Sequence, residues 1–211
     1  GSLVFQWKDH LGDLEIVAQL PRFYVMALSA VLCGFVGFWM GSAIADRAAI
    51  PALLATTAPE WGVRDPVFAQ DLSFYVFQLP LLSLAVTWTT ALVILVLAFC
   101  SSGYAFTGAL RWTRGHLVTG ERPRIHLGGL VAALLVCIAL RTWIARYTLL
   151  LHGTSEVQGI FGYTDAQARL PALEVMTALT LLSACSVFWG ALRNRVVPVV
   201  AGLAAVVAGG I

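Results

Sequence analysis

The stretch Leu127–Leu150, LGGLVAALLVCIALRTWIARYTLL, decides the class of this protein. An apolar run of ~20 residues crosses hydrocarbon as a helix, and here only Arg141 and Arg146 interrupt it. A guanidinium near the middle of a span costs at least ~2.5–3.5 kcal/mol on insertion scales. Arg141 is therefore expected to face protein or water, not lipid. Gly129, Ala133, Cys137, Arg141 and Ala145 recur at every fourth position, and residues four apart lie on one helix face. Small residues on a ridge admit a second helix at close range. Gly129 and Ala133 are thus predicted to be packing residues, with Arg141 pointing into the same contact.

The rest of the chain has the same character. Hydrophobic residues make up 59% of 211 and charged residues 11%, against about 25% charged in soluble domains; mean hydropathy is +0.85. The reading is an all-α, polytopic transmembrane bundle with about five spans and short interfacial helices. A net charge of +2 offers no strong basic field for nucleic acid. Cys33, Cys100, Cys137 and Cys185 lie far apart in apolar runs. They read as core residues, and no metal site is predicted. Lys8, Asp9, His10, Asp13 and Glu15 argue against a signal peptide.

In chain order, residues 1–22 read as an amphipathic surface segment, a short helix carrying Leu11, Leu14 and Val17 at three-residue steps and ending at Pro21. The bundle follows over 23–211. Its first span, Phe23–Ala45, carries small residues at every fourth position, including Gly37 and Gly41, a second packing face. Asp46-Arg47 is expected to end it. Residues 46–79 form a loop, with helical turns over 48–56 and an aromatic interfacial helix over 68–79 for which Asp71 is an N-cap. Pro80 opens a second span that reaches Tyr104. A loop over 107–126, the third span, a loop over 152–169, a fourth span from Leu170 to Trp189 and a tight turn at Arg193–Arg195 follow. The last run, Val196–Ile211, is shorter than the ~20 residues a span needs, so the chain reads as cut.

Loop charge alternates. Residues 107–126 hold four Arg against Glu121, and 192–195 hold two Arg; 46–79 carry a net −2 and 152–169 a net −1. The positive-inside rule makes 107–126 cytoplasmic and the loops 46–79 and 152–169 external. The expected placement is a multi-pass protein of a bacterial cytoplasmic membrane, N-terminus inside.

The chemistry-bearing residues are few. Arg141, Arg146 and Glu174 lie toward the outer ends of the third and fourth spans, and the long Arg141 stem reaches toward Glu174. Two readings stand: an ion pair that fixes helix register, or part of a polar path for an ion, proton or lipid headgroup. Glu174 is the one acidic residue inside a predicted span, too few for a proton relay. No cofactor is predicted, although His126 and His152, at opposite surfaces, are the conceivable ligands for haem or a chlorophyll-type pigment. Bound lipid is expected. No HExxH, GxSxG or P-loop spacing occurs, so no catalytic residues and no enzyme activity are predicted.

Two stretches carry a resemblance. DPVFAQDLSFYVFQLP, Asp65–Pro80, resembles the DPxFxxDxxFYxFxLP signature of uncharacterised protein family 0182, a set of bacterial membrane proteins. FGYTDAQARLPAL, Phe161–Leu173, resembles that family's GYTDxxARLPAL segment, and Arg141–Tyr147 resembles its W-x-x-RY helix end. Order and spacing agree from Trp7 to Arg195. The resemblance implies several N-terminal spans followed by a large extracytoplasmic domain, of which this chain holds only the membrane portion. It implies no activity. It marks Asp65, Pro66, Phe68, Asp71, Phe74, Tyr75, Gly162, Tyr163, Asp165 and Arg169 as a signature in the two external loops, able to shape one docking surface.

The expected function is that of a non-enzymatic accessory or scaffold subunit, packing against other transmembrane helices of a larger membrane complex and against lipid. The alternative is a transporter-like module for lipid or an apolar solute, with an Arg/Glu polar site near the outer leaflet.

Overall fold

Four helices are long and apolar enough to cross a membrane: Met26–Thr57, Phe74–Phe106, Glu121–Leu151 and Asp165–Arg193. The computed structural model describes residues 3–6, 17–20, 22–107, 109–113, 116–152 and 161–209. Within it, α1 is Arg22–Thr57, α2 Leu79–Phe106, α3 Glu121–Leu151, α4 Leu170–Arg193 and α5 Val196–Gly209. The fold is an all-α membrane bundle. α5, the predicted fifth span, is a short apolar helix of 14 residues folded back on α4.

Several boundaries differ from expectation. α1 does not stop at Asp46-Arg47 but runs on to Thr57, through Pro51. The Ala- and Leu-rich stretch that follows favours helix, and a solvated charge pair does not break one. The helix expected over 68–79 is not separate from the second span. Helical backbone begins at Leu72 and passes through a π-turn, Phe74–Gln78, directly into α2. α4 is entered in the same way, through a π-turn at Asp165–Arg169. Each π-turn lies just before a Leu-Pro pair. A proline ring clashes with the carbonyl four residues back and leaves it without a donor. For Pro80 and Pro171 those carbonyls belong to Val76 and Gln167, inside the two π-turns. Widening the turn moves that carbonyl aside and lets the helix pass through the proline.

Two short hairpins also replace expected features. In residues 1–22, β1 (Leu3–Gln6) pairs antiparallel with β2 (Val17–Leu20), where a surface helix was expected. Val and Phe favour extended backbone; residues 7–16, which include Leu11 and Leu14, lie outside the described set. The loop over 107–126 contains β3 (Leu110–Thr113) paired with β4 (His116–Thr119), and also the first turns of α3.

α3 and α4 form the centre, with α5 on α4 and α2 on α3; α1 touches α2 only slightly. The α3 face against its neighbours is not the predicted one. Ala132, Leu135 and Ala139 are buried, while Ala133 and Arg141 are exposed. At 3.6 residues per turn, four steps of four residues rotate about 160° around the axis. The series from Gly129 to Ala145 therefore winds from one face to another. The true close approach is Gly128, where an added Cβ would collide with the Cβ of Ala191; at Gly129 it would meet only the Phe188 ring, at 3.8 Å. α4 meets α5 through Gly190 and Gly202, and Ser186 donates to the Pro198 carbonyl across that contact at 2.8 Å. Asn194, at φ 54, ends α4 in the left-handed conformation that closes helix C-termini. By contrast, nothing lies within 4 Å of a Cβ built at Gly37 or Gly41.

Candidate functional site

The loop between α1 and α2 is organised by two carboxylates. Asp65 is buried, at 6% exposure. Its Oδ1 accepts the amides of Val67 (2.8 Å) and Phe68 (2.6 Å); its Oδ2 accepts the Gln70 amide (2.9 Å) and the Tyr75 hydroxyl (2.7 Å). Pro66 occupies the turn that this makes possible. Ala69 sits at φ 54, a left-handed conformation costing about 1–2 kcal/mol for a residue with a Cβ, which the Asp65 bonds offset. Asp71 staples the other side. It accepts the amides of Trp61 (3.1 Å), Gly62 (2.8 Å) and Ser73 (2.8 Å). The Ser73 bond caps the helix that starts at Leu72, and Gly62, at φ 72, supplies the turn that only glycine takes without cost.

These bonds hold both carboxyls below the ordinary carboxylate range. Burial pushes Asp65 up, but the amides of Phe68, Gln70 and Val67 and the Tyr75 hydroxyl outweigh it. For Asp71 the Ser73 side chain and amide, with the amides of Trp61 and Gly62, lower the value to about 2. A depressed folded pKa gives support that is complete above the unfolded value of ~4 and fades as pH falls through the folded value. The Trp61–Ser73 loop is therefore expected to loosen between pH ~4 and ~2. Tryptophan fluorescence of the intact chain should show this transition in the wild type and lose it in Asp71→Asn, which is already loosened at neutral pH. Identical acid profiles for the two proteins would remove Asp71 from the role.

The loop packs on α3 through aromatic rings. Tyr147, 6% exposed, is the hub. Its ring lies 4.8 Å from Phe68, 5.3 Å from Phe74, 6.2 Å from Tyr75 and 5.1 Å from Trp143, centre to centre. Tyr75, Leu79, Ile144 and Tyr147 form one buried cluster. Above it sits Arg146, its Cζ 4.7 Å from the Trp143 ring centre, 5.2 Å from Tyr147 and 5.5 Å from Phe68. Arg146 Nη1 reaches Glu174 Oε1 on α4 at 3.4 Å. Glu174's side chain is 55% exposed, and ion pairs of that kind contribute ~0–1 kcal/mol. The guanidinium is held chiefly by its aromatic surround.

The predicted Arg141–Glu174 contact is thus corrected. Glu174 pairs with Arg146, while Arg141 is exposed and has no ion pair or hydrogen bond with any described residue. Five residues separate the two arginines, about 140° around the helix, so they cannot share a face.

The second signature opens α4. Asp165, 1% exposed, accepts the Gly162 amide at 3.1 Å and faces Arg169 Nε at 3.9 Å. Tyr163 is 82% exposed. Arg146 links the first signature segment to α4, touching Phe68 and, one residue beyond the second segment, Glu174. His152 ends α3 at this side of the bundle; His126 lies at the other, its Nδ1 2.9 Å from the Tyr104 hydroxyl. Sequence reasoning missed Tyr147 and Trp143 as site residues. The signal was present in the Trp143-x-x-Arg146-Tyr147 spacing, which puts three large side chains on one face of a helix.

An apolar four-span bundle, capped at one end by two Asp-organised segments and an aromatic-caged arginine, defines a helical membrane module. The chain belongs to the uncharacterised protein family UPF0182, whose model matches residues 8–211. It is 35% identical over 215 residues to a UPF0182 protein of Mycobacterium tuberculosis, covering 97% of this chain and 21% of that relative. It is 34% identical over 173 residues to one of Kineococcus radiotolerans, covering 81% of this chain and 16% of the relative. The chain thus spans about a fifth of the length of the curated relatives it matches, corresponding to their N-terminal portion. No solved structure matches it.

Proposed function

We propose that this chain is a non-enzymatic packing module, an accessory or scaffold part of a larger bacterial membrane assembly. The open small-residue ridge of α1 carries this reading. The close contacts of α3, α4 and α5 are consumed inside the bundle at Gly128, Gly190 and Gly202, whereas Gly37 and Gly41 face an apolar groove of about 520 Å³ between α1 and α2. A small-residue ridge of this kind suits another transmembrane helix. The balance of loop charge supports an N-terminus in the cytoplasm and the signature end outside, where the Asp-organised loops offer a docking surface. The test is Gly37→Leu with Gly41→Leu in the full-length protein, isolated in mild detergent. A Cβ built at either site meets no described atom within 4 Å and the added side chains enter the open groove, so the chain's own melting should not move. Co-purifying chains should be lost. Retention of the same partners at the same yield would refute the packing role.

One observation favours a second reading, a transporter-like module for lipid or an apolar solute. Arg141 lies in a span without a carboxylate partner among the described residues, lining a cavity of about 220 Å³ between α2 and α3. A polar site at that depth suits a solute that brings its own negative charge.

A further inference from the structure

The groove between α1 and α2 has walls that match. On α1, Cys33, Gly37, Met40 and Ile44 line it at steps of four, three and four residues. On α2, Trp88, Leu92, Leu95 and Phe99 line it at the same steps. That spacing marks the seam of two helices packed side by side at a small angle. The α1 row is small at Cys33 and Gly37, with Gly41 beside it, while the α2 row is bulky throughout. The seam is nevertheless open. About 520 Å³ lies between the rows, and α1 touches α2 only slightly. Cys33, Gly37 and Gly41 are exposed, and Met40 is the one buried residue of the α1 row, at 7% exposure.

A weak point in α1 lies where a closing motion needs one. Pro51 stands between the groove and the loop that ties α1 to the bundle. A proline leaves the carbonyl four residues back, here that of Arg47, without its helical donor, and helices bend at such positions. A pivot at Pro51 moves Cys33 most, because it lies 18 residues away, ~27 Å along the axis. Consecutive spans run in opposite directions, so Cys33 is level with Cys100, which lines the same groove. We propose that α1 swings onto α2, and that α2 holds the small-residue ridge shut until a partner helix takes it. The inference rests on the packing role above and adds its regulation. Lipid tails are as apolar as leucine, so closure gains packing contacts but no hydrophobic drive. Open and closed arrangements therefore lie near balance. A partner helix that fits Gly37 and Gly41 better than α2 does tips them, since one ridge cannot hold both.

The free thiols of Cys33 and Cys100 supply the reporter. The full-length protein is oxidised with copper phenanthroline, once in nanodiscs free of other chains and once in native membranes. The Cys33–Cys100 disulfide is then measured by peptide mass spectrometry. A disulfide needs Cα atoms within about 7 Å, so its yield follows closure. It should form readily in nanodiscs and several-fold less in native membranes, where partners hold the ridge. Gly37→Leu with Gly41→Leu fills the gap and should lower the nanodisc yield about tenfold, the scale of overpacking a close contact. Pro51→Ala restores a helical bond and leaves the ridge untouched; it should lower the nanodisc yield while co-purifying chains stay. No disulfide in nanodiscs would overturn the closure even where partners still co-purify. Equal yields in nanodiscs and native membranes would overturn the competition, and an unchanged yield in Pro51→Ala would overturn the pivot. A disulfide in nanodiscs with no chain lost from the glycine variants would instead sink the packing role.

Discussion

Gly128→Ala destabilises the bundle by about 1–3 kcal/mol, the usual cost of inserting a carbon into a close-packed contact. Alanine gains about 1 kcal/mol over glycine in a helix interior, so the sign is decided by what the new Cβ meets. At Gly128 it meets the Cβ of Ala191, which is fixed to the α4 backbone and cannot rotate away. α3 and α4 must then separate at the most extensive contact of the fold. Gly129→Ala, one residue on, meets only the Phe188 ring at 3.8 Å; it should be neutral or raise stability by up to about 1 kcal/mol. The pair is measured by thermal melting in detergent, followed by helical circular dichroism. Equal shifts for both variants would show that α3 does not meet α4 along the Gly128 line. Gly190→Ala belongs with Gly128→Ala, because its Cβ would lie 2.7 Å from Val199 and 2.9 Å from the Arg195 carbonyl oxygen.

Asp65→Ala opens the loop between α1 and α2 and costs about 3–5 kcal/mol, judged from ~1–3 kcal/mol for each buried donor left unpaired, less what water recovers at this surface. Three amides and the Tyr75 hydroxyl lose their acceptor together, and Ala69 loses what holds it at φ 54. Phe68 is then free to leave Tyr147, so Arg146 loses one of its three rings. Tyr75→Phe removes a single bond and should cost only about 1 kcal/mol. Trypsin reads the difference directly, because Arg64 precedes Asp65: cleavage there should be fast in Asp65→Ala and slow in both Tyr75→Phe and the wild type. Unchanged cleavage in Asp65→Ala would mean that the loop is held by its aromatic packing alone.

The parts of the site that were legible in the sequence are those set by local chemistry. Asp71 capping the following helix needs only a carboxylate two residues before a free amide. The passage of a helix through Leu-Pro was not legible, because a proline reads equally as a start and as an interior residue. What separates the two is the preceding turn, which the structure widens at Phe74–Gln78 and Asp165–Arg169. The choice between Arg141 and Arg146 as the partner of Glu174 was also out of reach. Both arginines are long enough to reach a neighbouring helix, and only the rotation of α3 in its packed position selects between them.

The sequence by itself determined that this is a helical membrane protein with two signature segments, since twenty-residue apolar runs and turn chemistry act within one stretch of chain; of the five spans it suggested, four are long helices and the last is a helix of 14 residues. Only the tertiary structure decided which face of α3 meets α4, that Arg146 sits in a cage of rings, and that Arg141 faces a groove. A helix in lipid is apolar on every side. Hydrophobicity therefore says that it spans but not how it is turned, and the turn is chosen where two backbones come close enough that only glycine fits.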